Sequence, residues 1–311
     1  MPDNKIARLI DGIDASRLSA DLFYLSKHPL PFRKLNCTLP GHKESTLDEA
    51  DDYIQAQLEG WGYAVEREGV RVQAYRRDPS KPKAHQYGKP DPKDPWYTAH
   101  NLYARKAGTE RPEEIIVICA HKDSQSWLDS PGAYDNAVGT VALIEMARIL
   151  SHEATRRSVV FLFCNEEHTP WTSVTAAQAA GARGDNIIAV FNTDSLGGKP
   201  QADVDAGRKT NATLYTMPEG RPLAELMSEV NEEYGIGLEQ SIHKRLQPGD
   251  DDGSFVNAGF PAAIANVGSH PYADPNYHLE TDVPESVDIP NVAMATQSIL
   301  AALLTVDREG L

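Results

Sequence analysis

Apolar residues along this chain follow two spacings that take turns. In residues 14–28, Leu18, Leu22 and Leu25 share one helical face. Thr46-Leu47-Asp48-Glu49 reads as a capping box opening a second helix, with Ala50, Tyr53, Ile54, Leu58 and Trp61 on one face and Gly60 and Gly62 at its end. Residues 63–75 partly alternate and predict a strand. Between residues 78 and 95, Pro79, Pro82, Pro90, Pro92 and Pro95 stand among lysines, which marks a surface loop or insertion. Residues 101–105 resume as strand.

The centre repeats one pattern. Apolar runs at residues 115–120, 158–164 and 187–192 read as buried strands. Helical patterns at 139–150 and 174–182 lie between them, and two more follow at 223–234 and 292–304. Buried strands alternating with helices predict an α/β fold: a mostly parallel mixed β-sheet sandwiched between helices. The expected organisation is one domain over residues 1–311, with the Pro/Lys-rich insertion near 78–95. No internal repeat or low-complexity tract interrupts it.

With 41% apolar residues the chain can bury a core of this size. Its formal net charge of −15 argues against nucleic acid as a partner, since that needs a basic face. Cys37, Cys119 and Cys164 are odd in number and show no CxxC spacing. Cys119 and Cys164 lie near the ends of apolar runs and read as two packed thiols; a reducing compartment fits, and a disulfide framework does not. The first residues carry no apolar stretch like that of a signal peptide, and no run of 18 apolar residues suggests a membrane span. A cytoplasmic chain without a membrane partner is the expectation; oligomeric state is not legible.

In open α/β sheets, ligands bind beyond the carboxyl ends of the strands. His121-Lys122-Asp123 follows the first central strand, Glu166-Glu167 the second and Asp194 the third, while Asp135 lies between the first strand and its helix. These carboxylates and one histidine would gather along a single rim. Carboxylates so close must protonate or find cations. Imidazole with carboxylate suits zinc, and two zinc ions about 3.5–4 Å apart under a shared carboxylate form a known hydrolytic arrangement. Each piece alone is weak: the Glu pair could be a solvated loop and Asp194 a helix cap. Their joint order carries the signal.

That order resembles peptidase family M28, the zinc aminopeptidases. The matching runs are His121-Lys122-Asp123, Gly132-Ala133-Tyr134-Asp135-Asn136-Ala137-Val138-Gly139, Glu166-Glu167, Asn192-Thr193-Asp194 and Tyr277-His278-Leu279-Glu280-Thr281-Asp282, spread over roughly residues 100–300. The resemblance implies a zinc-exopeptidase-like fold and two zinc ions. His121 and Asp194 would hold one, Glu167 and His278 the other, and Asp135 would bridge them. Asp123 would orient His121, and Glu166 would be the general base. A cis peptide at Asp135-Asn136 is also implied. The chain departs from the family pattern in two places. His168-Thr169-Pro170-Trp171-Thr172-Ser173 lacks the usual glycines, and Asp252 stands where a histidine is common.

Further candidates are His168 and Trp171 as pocket residues and Tyr277 as an oxyanion donor. His85, His100, His243 and His270 read as ordinary surface or loop histidines, and Asp250 with Asp252 as a solvated turn. The expected activity is removal of the N-terminal residue from a peptide substrate with a free N-terminus. The alternatives are a glutaminyl cyclase with one zinc, a carboxypeptidase or aminoacylase-like amidase, and a non-catalytic interaction domain.

Overall fold

The structure is a computed structural model and describes residues 2–311. Three helices open the chain: α1 (Asn4–Asp11), α2 (Ala15–Ser26) and α3 (Thr46–Gly60). The α3 cap falls one residue earlier than the sequence suggests. Ser45 is the N-cap, accepting from the Asp48 backbone N–H at 3.1 Å and donating to its carboxylate at 2.7 Å. Thr46 is buried and turns its hydroxyl to the Lys34 backbone instead.

Strand β1 (Val65–Ala74) follows, then a short ribbon of β2 (Arg76–Arg77) and β3 (Tyr87–Gly88), then β4 (Tyr97–Lys106). The central run is β5 (Arg111–His121), α4 (Val138–Ser151), β6 (Arg157–Cys164), β7 (His168–Thr169), α5 (Thr172–Arg183) and β8 (Asn186–Thr193). The last third holds α6 (Gln201–Asp205), β9 (Thr210–Tyr215), α7 (Arg221–Glu233), β10 (Glu239–Lys244), α8 (Asp250–Asn257), β11 (Ala263–Val267) and α9 (Ile289–Glu309).

One nine-stranded mixed sheet runs in the order β10-β9-β11-β8-β5-β6-β4-β1-β7. The central strands β11, β8, β5 and β6 are mutually parallel. Strands β4, β1 and β7 extend the sheet antiparallel on one side. Alternate residues of β5 enter different cores, which explains its unbroken apolar run. Ile116, Ile118 and Ala120 pack against α1, α2, α4, α7 and α9, while Val117 and Cys119 pack against α5 and α8. Cys119 and Cys164 are buried thiols, and all three cysteines are free.

Helix α9 is long and apolar enough to span a membrane, but two thirds of its most apolar window is buried inside the fold. Its hydropathy reflects a core position.

Sequence patterns missed α1, α6, α8 and β9–β11. Strand β10 is an edge strand with a half-exposed, polar sequence. Strand β9 carries Asn211 and Thr213 inward, and both hydrogen-bond Asn266 of β11 at 3.2 and 2.8 Å. With one buried face satisfied by amides and hydroxyls, the strand keeps only Ala212 and Leu214 on the other as a short apolar signal.

Candidate active site

The parallel strands end at one rim, and the candidate residues stand there. His121 closes β5, Glu166 and Glu167 follow β6, and Asp194 follows β8. Asp135 sits in a kinked turn, Ala133–Ala137, that leads into α4, with non-helical backbone at Asp135 and Asn136. Its peptide bond to Asn136 is cis. Two glycines of this motif have steric reasons. Gly132 has φ +57°, and a Cβ there would lie 2.5 Å from the Asp135 carbonyl oxygen. A Cβ on Gly139 would lie 2.6 Å from the Asn136 side chain and from the Thr193 carbonyl. Asn136 uses that closeness: its Oδ1 accepts from Gly139 and Ser195 N–H, and its Nδ2 donates to Thr193.

The side chains form two clusters that share Asp135. In one, His121 Nε2 lies 3.2 Å from Asp135 Oδ1 and 3.5 Å from Asp194 Oδ1. In the other, His278 Nε2 lies 3.0 Å from Asp135 Oδ2 and 3.3 Å from Glu167 Oε1. Each Asp135 oxygen therefore serves a different cluster. Ligand atoms about 2.0–2.2 Å from a tetrahedral zinc stand about 3.3–3.6 Å apart, so the donor set fits zinc in identity and in spacing.

Burial opposes charge on both imidazoles. The carboxylates nonetheless favour a cation here: hydrogen bonds to Asp123, Asp135 and Asp194 push His121 well above its ordinary pKa, and Glu167 with Asp135 does the same to His278. Burial would also raise Asp135, but hydrogen bonds with His121 and His278 hold it well below the usual carboxylate range.

Asp123 organises the rim from behind. Its carboxylate meets His121 Nδ1 at 3.3 Å, accepts the Glu166 and Glu167 N–H groups at 2.9 Å each, and meets His168 Nδ1 at 2.8 Å. Burial would raise its pKa, but the two histidines keep it well below the usual range. An amide in its place offers one acceptor oxygen where the carboxylate offers two. Asp123→Asn should therefore weaken zinc binding about 10–100-fold while the fold survives, read by competition with a chromophoric chelator. Unchanged affinity would remove Asp123 from this role.

His168 is corrected by this geometry. It is fully buried behind Asp123, its other nitrogen accepting from Leu35 N–H at 3.3 Å, and it does not reach the cavity. Trp171 and Tyr277 do line the cavity, and the Tyr277 ring stacks on His278 at 3.8 Å. The cavity, about 230 Å³, has an aromatic wall completed by Tyr75, Tyr87 and Trp127, and an acidic wall of Glu166, Asp194 and Asp250. Glu166 belongs to neither ligand cluster, and its Oε2 is buried without a hydrogen-bond partner. Burial, then the charges of Asp251 and Asp250, pushes its pKa well above the ordinary value.

The solvated turn expected at Asp250 and Asp252 is also corrected. These residues open α8, Asp252 is buried, and Arg245 pairs with both carboxylates. Burial outweighs Arg245 and leaves Asp252 pushed up to about 8. Asp251, also buried, accepts from Cys164 Sγ at 3.0 Å. Nor is His100 a plain surface residue, since its Nδ1 lies 3.7 Å from buried Asp51.

Sequence reasoning missed several contributors. Gln125 Nε2 donates to Asp135 Oδ2 and to Glu167 Oε1, each at 2.9 Å. Asp282 accepts the Tyr134 and Asp135 N–H groups at 2.8 and 3.0 Å, setting the turn that presents the shared carboxylate. Asp282 closes the Tyr277–Asp282 motif, which was the available signal; a lone Gln offers none. Arg33 is fully buried and donates to the carbonyls of Lys122 (2.6 Å), Pro131 (2.8 Å) and Gly132 (2.8 Å), joining the loops on either side.

A mixed sheet with histidines and carboxylates gathered at the ends of its parallel strands is the arrangement of a zinc-dependent metallopeptidase of the exopeptidase fold. The model of peptidase family M28 matches residues 101–303, and the chain belongs to that family. A probable zinc metalloprotease of Pyrenophora teres f. teres is 24% identical, over 97% of this chain and 68% of its own length. Two solved structures share the fold. The aminopeptidase from Aneurinibacillus sp. strain AM-1 superposes with a TM-score of 0.71 at 15% identity, over 96% of this chain and 95% of its own. Bacteroides thetaiotaomicron glutaminyl cyclase does so with a TM-score of 0.69 at 15% identity, over 94% and 98%.

Proposed function

We propose that this metallopeptidase is an aminopeptidase with two zinc ions per chain. The observation that carries the reading is the shared Asp135, with one oxygen toward His121 and the other toward His278. His121, Asp135 and Asp194 would hold one ion, and Asp135, Glu167 and His278 the other. Bound zinc supplies Lewis acidity and lowers the pKa of water.

The remaining work falls to the chain's own groups. Glu166, free of both clusters, takes a proton from the attacking water and returns it to the leaving amine. Tyr277 lines the cavity, and in this reading its hydroxyl donates to the developing oxyanion. Asp194 and Asp250 set carboxylates along one wall, which draws the α-ammonium group of a free N-terminus. The cavity of about 230 Å³ is smaller than the about 300–1,000 Å³ typical of drug-sized ligand sites, so it suits a single residue. Its aromatic wall favours large apolar side chains there. Glutaminyl cyclisation is the second reading, on the same fold, but the donor spacing at both clusters favours two ions.

Metal content per chain, measured beside a substrate panel, tests this. Two zincs and chelator-sensitive cleavage of leucyl- and phenylalanyl-p-nitroanilide, with N-acetylated versions untouched, are expected. One zinc with ammonia release from an N-terminal glutamine would replace the reading by the cyclase. Cleavage of the blocked anilides would replace it by an amidase, and cleavage only of N-blocked peptides with a free C-terminus by a carboxypeptidase.

A further inference from the structure

The two histidines of the site are oriented in different ways. His121 finds partners for Nδ1 two residues away, at the Asp123 carboxylate (3.3 Å) and carbonyl (3.2 Å). His278 Nδ1 instead lies 2.7 Å from the Ala84 carbonyl oxygen, a group 194 residues distant and inside the Pro/Lys-rich loop. An N–H at Nδ1 leaves Nε2 as the free lone pair, and Nε2 is the atom that faces Asp135 and Glu167.

The loop is built to hold that carbonyl in place. Its base is the ribbon that pairs Arg76 with Gly88 and Arg77 with Tyr87. Arg76 forks onto Asp94 with two contacts of 2.6 Å, and Gln73 Nε2 donates to the carbonyls of Asp91 and Asp94. Arg77 also reaches Glu280, beside His278, at 3.5 Å. The tip is a 3₁₀ turn, Lys83–His85, that carries Ala84. Tyr87 then stands edge-on to His278 (5.9 Å), lies tilted against Trp127 (5.3 Å) and lines the cavity.

We infer that this loop is a working part of the active site. The Ala84 carbonyl is a positioning group for His278, and Tyr87 is a specificity-determining wall that favours substrates with large apolar first residues. The inference rests on the metallopeptidase reading above, in which Asp135, Glu167 and His278 hold a zinc. A loop serving only as surface decoration would need neither the fixed tip nor the ring turned toward the cavity.

Replacing residues 78–86 by Asn-Gly would join Arg77 to Tyr87 through a two-residue hairpin turn. That removes the Ala84 carbonyl and keeps the ring. Chelator competition should then show one zinc weakened about 10–100-fold and the other unchanged. Ala84→Gly keeps the chain length and only loosens the turn, and should weaken the same zinc by less. Tyr87→Ala should raise KM for phenylalanyl-p-nitroanilide by about tenfold with kcat and zinc affinity unchanged, and Tyr87→Phe should restore it. Two native zinc affinities in the loop variants, or in Ala84→Gly should the longer replacement fail to fold, would overturn the positioning role. An unchanged KM in Tyr87→Ala would overturn the wall. The native chain is measured first: absence of zinc or of cleavage there would instead remove the proposed function.

Discussion

Glu166→Gln should lower kcat about 10²–10⁴-fold and leave zinc content unchanged. Glutamine keeps the shape of the side chain, and the backbone N–H of residue 166 still reaches Asp123 Oδ1 at 2.9 Å. What is lost is an oxygen that can take and return a proton. Glu166 lies outside both clusters of ligand atoms, so metal binding should not notice the change. Steady-state kinetics on leucyl-p-nitroanilide, with elemental analysis of the same sample, separates the two effects. Turnover at the native rate would place the base elsewhere. A loss of zinc in parallel would mean that Glu166 is a ligand.

Asp135→Asn should act the other way, through the metals. One carboxylate faces both clusters, and its two oxygens meet His121 Nε2 and His278 Nε2 at 3.2 and 3.0 Å. Asparagine offers one acceptor oxygen and no charge. Zinc per chain is expected to fall from two to one or fewer, with activity lost accordingly. Stability should follow the metal. A ligand bound only by the folded state, at a thousandfold excess over its Kd, stabilises that state by about 4 kcal/mol. For a chain of this size, stripping it should lower Tm by about 6 °C. Chelator titration with calorimetry checks this in the native protein, and Asp135→Asn should start near the stripped value. A native Tm indifferent to chelator would show that the carboxylate rim does not depend on a cation.

Much of this site is legible before any coordinates. His121, Asp135, Glu167 and Asp194 are spread over residues 121–194, yet their places at the ends of successive strands announce a shared rim; His278 is added only by the resemblance of the Tyr277–Asp282 motif. Helices α2, α4, α5 and α9 and strands β5, β6 and β8 follow from local apolar spacing, because each buries a face or both faces in one core. The acidic turn at residues 250–252 was the main failure. Asp250 and Asp252 read as solvent-facing; in the fold both pair with Arg245, and Asp252 is buried beside it.

The sequence by itself determined the order of the central strands and helices, the acidic residues of the rim and the motif that presents the shared carboxylate. These are written in local spacing, which responds to the nearest turn of chain. The tertiary structure alone decided that His168 backs Asp123 and stays out of the cavity, that Arg33 joins the loops on either side, and that the Ala84 carbonyl orients His278. It also decided that Tyr75, Tyr87 and Trp127 complete the cavity wall. Such contacts join residues far apart in the chain. Nothing in the local pattern of either partner records them, because what selects them is the need of each buried polar group for a hydrogen bond and of each ring for a packed neighbour.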